Sequence, residues 1–396
     1  MFENKILIYG LSFGAIRSLT ISFSVFYILS KGITLNELGV IKTFQACIIF
    51  FFDIPISYFS DKFSRKFSIV LASLFSSVWL LIMSVADSFS LFLISEFFNA
   101  ISLVLFNGAF IAYSIDNSPK EEISNILHLY SKYNYICMAV FSLLGSMFVT
   151  IKSYLMWLTS GLLMLLCMFS GYMFLPKDNQ REIESTNSKG IVFIFKKDFS
   201  YLFGFIKNKE NKIFKTIFIE YILILSLMQI IIQYWQPYTF GIEPKIKYGV
   251  IYGLFFSFLL YVQSLASDFY KKNRKNKKNI NKLLFLITIV ISLFANIFPQ
   301  EYILIISISL LFFYTQFNLL DKSSQFHEEI PSSLRATFDS IASSLFRLLC
   351  VIILPIFTLL TNYFGWIIVP TLYIIYIIID LLINRVVFTY DRTNTI

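Results

Sequence analysis

The chain has 396 residues, of which 57% are apolar and only 14% charged, with a mean hydropathy of +0.71. Soluble domains carry about a quarter charged residues, so this composition cannot clothe a water-exposed surface and the chain is read as an integral membrane protein. The net charge of +9 is then first a signature of topology and of an anionic inner leaflet, and nucleic acid is excluded as a partner.

The first five residues, MFENK, lead directly into the apolar run 5–29. That run is too long for a signal-peptide core and has no small-residue cleavage site, so it is taken as the first span. A bilayer core of about 30 Å requires about 20 helical residues. Runs of that size follow at 36–58, 67–86, 91–114, 125–150 and 154–175. After the polar stretch 176–212 they resume at 213–240, 247–267, 280–298, 302–321, 335–361 and 364–387, twelve in all. None alternates with period two, which excludes a β-barrel. Helices remain, because a backbone in hydrocarbon must satisfy itself within its own segment. Within the polar stretch, Val192, Phe195, Phe199, Leu202, Phe203 and Ile206 recur at helical spacing and predict an interfacial helix over 191–206.

An even number of spans puts both termini on one side. On that side fall 26 Lys and Arg, against four opposite (Lys31, Lys152, Lys245, Lys247) and three within spans (Arg17, Lys42, Arg347). The positive-inside rule therefore predicts cytoplasmic termini in a bacterial cell (inner) membrane. The cysteines Cys47, Cys137, Cys167 and Cys350 lie in apolar runs without metal-binding spacing and read as packing residues.

Two positions recur after a nearly constant interval. Asp61 after span 2 corresponds to Asp268 after span 8, and Asp116 at the end of span 4 to Asp321 at the end of span 10. The latter two each precede a loop with Pro and Glu, SPKEE (118–122) and HEEIPSS (327–333). A duplicated six-helix unit is predicted: an N-terminal bundle over 1–175, a cytoplasmic linker over 176–212 and a C-terminal bundle over 213–396. Parallel halves of this kind place a substrate site at their interface near mid-membrane.

The segment Ser57-Tyr58-Phe59-Ser60-Asp61-Lys62-Phe63-Ser64-Arg65-Lys66 resembles the G-x-x-x-D-R-x-G-R-K signature of the major facilitator superfamily, with serine at both glycine positions. Asp53-Ile54-Pro55 resembles the [DE]-x-P that precedes it in one group of that family, which consists mostly of drug- and antibiotic-efflux proteins. The run from Glu96 through Asn107-Gly108-Ala109, Ala112 and Asp116 is similar to that group's E…S-G-A-x-x-A-x-x-x-D. Pro331, Leu334-Arg335-Ala336-Thr337 and Ser340 resemble its P-x-x-x-R-A-T-x-x-S. The resemblance implies an all-α membrane protein of twelve helices in two pseudo-symmetric bundles. It also implies a cytoplasmic gate in which Asp61 and Arg65 latch against the start of span 11 near Arg335 and Thr337. Asp53, Lys66, Asp116, Asp268, Asp321 and Asp339 are assigned to the same gate; ordinary positive-inside charge with an aspartate cap is the plainer alternative. The group's acidic residues just after S-G-A are Phe110 and Ile111 here.

An ionisable group inside a span is a functional candidate by its cost alone. Arg17 lies midway along span 1 and Glu220 seven residues into span 7, its repeat counterpart; in this fold the two are expected to face one another across the cavity. Glu96 is a third candidate. Protonation of a carboxylate paired with Arg17 would couple proton passage to substrate binding, whereas a fixed structural pair would not titrate. Asn107, Gln229, Gln233, Tyr234 and Asn318 complete the expected cavity set, by stacking and hydrogen bonding to an amphiphilic ligand.

No phosphate-binding loop is present, so no cofactor is expected and the proton gradient is the energy source. The expected function is a monomeric secondary transporter working by alternating access, a proton antiporter exporting a small toxic or amphiphilic compound such as a drug, an antibiotic or a peptide antibiotic. Proton-coupled uptake of a nutrient or cofactor is the first alternative. A polytopic lipid-modifying enzyme is the second; neither His128 nor His327 sits in an HxxxxD or HExxH pattern.

Overall fold

A backbone surrounded by hydrocarbon finds its hydrogen-bond partners one turn away, and each apolar run becomes helix as far as it is described. The computed structural model describes residues 2–117, 123–176, 212–243, 249–273, 276–329 and 335–379. The first half comprises α1 (Phe2–Ser18), α2 (Ser24–Leu29), α3 (Leu35–Phe63), α4 (Arg65–Val85), α5 (Phe89–Asp116), α6 (Ile123–Ile151) and α7 (Ser153–Phe174). The second comprises α8 (Lys212–Phe240), α9 (Gly249–Lys272), α10 (Lys277–Ile297), α11 (Glu301–Glu329) and α12 (Arg335–Phe364), followed by a helical stretch at 368–379, α13. Among the described residues there is no strand, and eleven helical stretches are long and apolar enough to cross a membrane. The predicted interfacial helix at 191–206 lies outside the described residues.

The last of the eleven stretches accounts for the twelfth predicted span. Ile341–Ile379 runs 39 residues, about 58 Å as one helix and about twice the bilayer core. It is not one rod. Gly365 has φ +69 and opens a 3-10 turn over Gly365–Ile367, the left-handed geometry that ends helices. The Trp366 ring lies 6.5 Å from that of Phe357, whereas nine residues of continuous helix would separate them by about 13 Å. The chain bends sharply between the two predicted runs.

Short polar side chains set several boundaries. Thr34 and Glu37 form a reciprocal capping box at the start of α3. A single extended residue, Ser64, separates α3 from α4, its hydroxyl accepting from the Phe67 N–H at 2.9 Å. The signature segment 57–66 is therefore not an open loop: Asp61 sits in the last turn of α3 and Arg65 begins α4.

The first predicted span is interrupted. Between α1 and α2 the chain makes a 3-10 turn, Ile21–Phe23, reached through i→i−3 bonds from Leu19 to Ile16 and from Thr20 to Arg17. Hydroxyls of Ser18 and Thr20 donate back to the carbonyls of Ala15 and Arg17, which competes with regular helix bonding. Gly145 of α6 packs on this break so closely that a methyl there would lie 1.8 Å from the Leu19 carbonyl oxygen.

By internal packing the chain forms two units, Met1–Ile194 with Glu243–Leu260, and Phe195–Ile242 with Tyr261–Ile396. The first half of α9 belongs to the first unit. There Ser257 donates to the Ala139 carbonyl at 2.9 Å, and the Tyr252 ring lies tilted against that of Phe26, with centroids 4.9 Å apart.

Gly145→Ala should destabilise the protein by about 1–3 kcal/mol, the usual cost of overpacking a fitted contact. Thermal unfolding in detergent reads this as a lowered Tm; an unchanged Tm would show that the α1–α6 contact yields freely.

Candidate functional site

In the first unit four helices bring their polar groups to one place. Lys42 on α3 has its Nζ 2.8 Å from Glu96 Oε1 on α5. One turn further along α5, Asn99 donates from Nδ2 to Glu96 Oε2 at 2.7 Å and accepts at Oδ1 from Arg17 Nη2 of α1 at 2.5 Å. Arg17 Nη1 donates to Ser76 Oγ of α4 at 2.8 Å. The guanidinium also lies 4.5 Å from the centre of the Trp79 ring and 5.6 Å from that of Phe13, within cation–π range. Glu96 is 1% exposed and Lys42 9%. With its carboxylate ionised the cluster carries one net positive charge; with Glu96 neutral it carries two. The amide of Asn99 is held between opposite charges, oxygen toward the cation and nitrogen toward the anion.

The second unit holds a simpler pair. Lys322 Nζ of α11 lies 2.5 Å from Glu220 Oε2 of α8, and the two residues are 7% and 1% exposed. Glu220 stands eight residues into α8, about 12 Å along its axis. Phe214, Phe218, Tyr221 and Phe326 stack beside it with ring centroids 5.1–5.8 Å apart. The pair is thus flanked by aromatic rings in place of water, which strengthens its attraction and raises the cost of separating it.

Two further ion pairs occupy corresponding places near helix ends. In the first unit Arg65, the first residue of α4, pairs with Asp116, the last of α5. Lys66 donates to the Leu175 carbonyl at 2.6 Å, and Tyr113 to that of Pro176 at 2.6 Å. In the second unit Lys277, the first residue of α10, lies 2.6 Å from Asp321 of α11, which also accepts from Gln325 at 2.8 Å. Asp116 and Asp321, matched by sequence interval, each hold the cation that starts the helix before their own.

The remaining predicted residues are distributed as follows. Arg17 and Glu220 have their described hydrogen bonds and ion pairs within their own units. Asn107 is exposed on α5, and Gln229 and Gln233 are half-buried on α8. Tyr234 is buried, 4.9 Å from the Phe357 ring, and its hydroxyl has no hydrogen-bond partner among the described residues. Asn318 is also buried, donating to the Tyr314 carbonyl while its Oδ1 has no such partner. Buried polar atoms of this kind are places for water or a ligand. Phe110, where the resemblance leads one to look for an acid, stacks on Phe106 at 4.8 Å and fills the space against Gly10. Asp53 is half-buried and Asp268 exposed. The side chains of Asp61, Arg335, Thr337 and Asp339 lie outside the described residues.

Sequence reasoning missed Lys42 and Lys322 as partners. Lys322 was counted with the loop after span 10 because the apolar run stops at Asp321, yet α11 continues to Glu329 and buries it. The available signal was energetic: a lone carboxylate inside a span demands a cation at the same depth.

No curated protein matches the sequence. Solved structures match it in fold: the nucleoside transporter NupG at 13% identity and TM-score 0.75, over 97% of this chain and 98% of that one. A bacterial homologue of the human lysosomal transporter Spinster matches at 13% and 0.73, over 97% and 96%. A D-xylose–proton symporter matches at 12% and 0.70, over 96% and 95%. The profile of the Major Facilitator Superfamily matches residues 6–320. Charged pairs buried in an all-helical membrane bundle fit that assignment: the chain belongs to the major facilitator superfamily and is a transporter.

Proposed function

We propose that this transporter is a proton-driven antiporter that exports a small toxic or amphiphilic compound, of the drug, antibiotic or peptide-antibiotic kind, from a bacterial cell. Its termini lie in the cytoplasm and it works as a monomer by alternating access. The observation that carries proton coupling is that the described part of each unit holds a buried carboxylate–lysine pair, Glu96–Lys42 and Glu220–Lys322. Protonating Glu220 removes the charge that answers Lys322. Leaving one member of a buried pair without its partner costs about 3–5 kcal/mol, close to the ~5.5 kcal/mol that moves a two-state equilibrium from 1:99 to 99:1. One proton is therefore large enough, energetically, to select a conformation. The pair is closed when Glu220 is ionised and opens on protonation. In the first unit Asn99 extends the same logic from Glu96 to Arg17.

Asn107, Gln229, Gln233, Tyr234 and Asn318 serve ligand binding in this reading, and the unpartnered oxygens of Tyr234 and Asn318 support it. Asp53, Asp61, Arg65, Lys66, Asp116, Asp268, Asp321, Arg335 and Asp339 form the cytoplasmic gate. Export is supported by Asp53-Ile54-Pro55 and the Glu96–Asp116 run, which resemble the efflux group. Proton coupling has a parallel in the symporter among the structural neighbours.

Lys322→Met should cost about 3–5 kcal/mol in stability, and adding Glu220→Gln should recover most of it. Thermal unfolding of the three variants in detergent measures this; no recovery in the double variant would mean that the two residues do not act as a pair.

Glu220→Gln, which keeps a hydrogen-bond acceptor for Lys322, should leave the protein folded and membrane-inserted while abolishing proton-linked transport in reconstituted vesicles. Unchanged proton dependence would remove Glu220 from the mechanism. A panel of toxic compounds given to cells with and without the protein tests direction. Lower internal accumulation in its presence is expected, and higher accumulation would replace export by uptake.

A further inference from the structure

A lysine released from its carboxylate inside a bilayer needs another acceptor at the same depth. Lys322 of α11 is bonded to Glu220 of α8, and the groups around that pair narrow the choice. Asp321 is adjacent in sequence, about 100° around the helix, and adjacent residues on a helix do not face each other. Its oxygens hold Lys277 at 2.6 Å and Gln325 at 2.8 Å. On α12, packed along α8, the charged residue at this level is Arg347. Ala342 packs with Phe218 in one cluster and Phe357 meets Tyr234, which places Arg347 within about one turn of Glu220 along the axis. Its sign is that of Lys322, so it offers no counter-charge. Lys215, five residues before Glu220 on α8, is likewise a cation. Tyr221, the neighbour of Glu220, has its ring 5.1 Å from that of Phe326.

Asn318 meets the need. It stands four residues before Lys322 on α11, and Cβ atoms at that spacing lie about 5–6 Å apart on one face. Side chains on a helix reach most readily toward its N-terminus, so the flexible stem of Lys322 can carry the ammonium over the turn of Asn318. Asn318 is 0% exposed. Its Nδ2 donates to the Tyr314 carbonyl at 2.9 Å. A carbonyl only accepts, which fixes the amide's orientation and leaves Oδ1 as the open end. That oxygen has no hydrogen-bond partner among the described residues, a rare condition for a buried acceptor. The first unit holds a comparable amide already in use. Asn99, one turn from Glu96 on α5, bonds both Glu96 and Arg17, and α5 and α11 are the helices matched by Asp116 and Asp321.

We propose that Asn318 is the positioning residue for Lys322. When Glu220 takes up a proton its carboxyl becomes neutral, and the ammonium turns about its four-carbon stem from Glu220 to the Asn318 amide oxygen. Loss of the proton returns it to the carboxylate. The ammonium keeps a hydrogen bond in both states, so the proton changes the tie between α8 and α11 without stranding a charge. The inference rests on Glu220 as the proton site. It gives Asn318 a task in the ligand-free protein, beside the ligand contact proposed above.

The test follows the Glu220 carboxyl itself. The full chain in lipid vesicles is titrated in pH without ligand while infrared absorption records protonated carboxyl groups; the band that Glu220→Gln removes belongs to Glu220. Asn318→Leu takes away the acceptor that steadies the protonated state, so the midpoint of that band should move down by about one pH unit, a tenfold loss of proton affinity. Asn318→Ala, a smaller change, carries the same expectation should Asn318→Leu fail to fold. Asn318→Asp places a second carboxylate at Lys322, which favours the neutral form of Glu220, and the midpoint should move up. A side chain that only packs, or only touches a ligand, would not move the midpoint in opposite senses. A midpoint unmoved by loss of the amide, or moved the same way by Asn318→Asp, would overturn the role of Asn318 and leave Glu220 as the proton site. A Glu220 with no titrating band would remove that site and this inference with it.

Discussion

A carboxylate that is 1% exposed among lipid-facing helices survives only beside a cation, and that requirement fixes two helix pairs here. Glu96 ties α5 to α3 through Lys42, and Glu220 ties α8 to α11 through Lys322. Hydrophobic burial cannot do this work, since lipid tails are as apolar as the helices themselves. Close packing at small residues brings the helices together, as Gly145 does against Leu19 and Gly161 against Leu81. The ion pairs then select which residues face one another. Such an arrangement is stable while both charges persist and loses its reason when one is neutralised.

The two units solve this problem unequally. Lys322 and Glu220 form an ion pair beside a stack of aromatic rings. In the first unit three charges are joined through the amide of Asn99, with Trp79 and Ser76 accepting what the carboxylate does not. Removing Glu96's charge leaves Arg17 two partners of its own, while Lys42 has its ion pair only with Glu96 among the described contacts. A proton arriving at Glu96 therefore redistributes interactions within the cluster.

Much of this was open to reading because membrane insertion is a strict filter on composition. The helical runs, the matched aspartates at 116 and 321 and the family signature at 57–66 are all local patterns, and local patterns survive in one dimension. The partners of Glu96 and Glu220 were hidden because they lie 54 and 102 residues away, and nothing in Lys42 or Lys322 marks its mate. The break after Ser18 was hidden for a related reason. Leu, Thr, Ile, Ser and Phe are ordinary in an apolar helix, and it takes the approach of Gly145 from α6 to give the interruption a setting. The single-residue link at Ser64 was hidden because the apolar runs stop at 58 and resume at 67, whereas the helices continue through the polar residues between them.

That break has a mechanical meaning. A long unbroken helix resists bending along its whole length, since any curvature strains many hydrogen bonds at once. With its ladder interrupted between Leu19 and Phe23, the first span becomes two short levers joined by a pivot. The guanidinium of Arg17 sits beside that pivot, anchored to neighbouring helices. Displacement of the α2 lever can be taken up at the joint, leaving the α1 lever, with its polar cluster, in register.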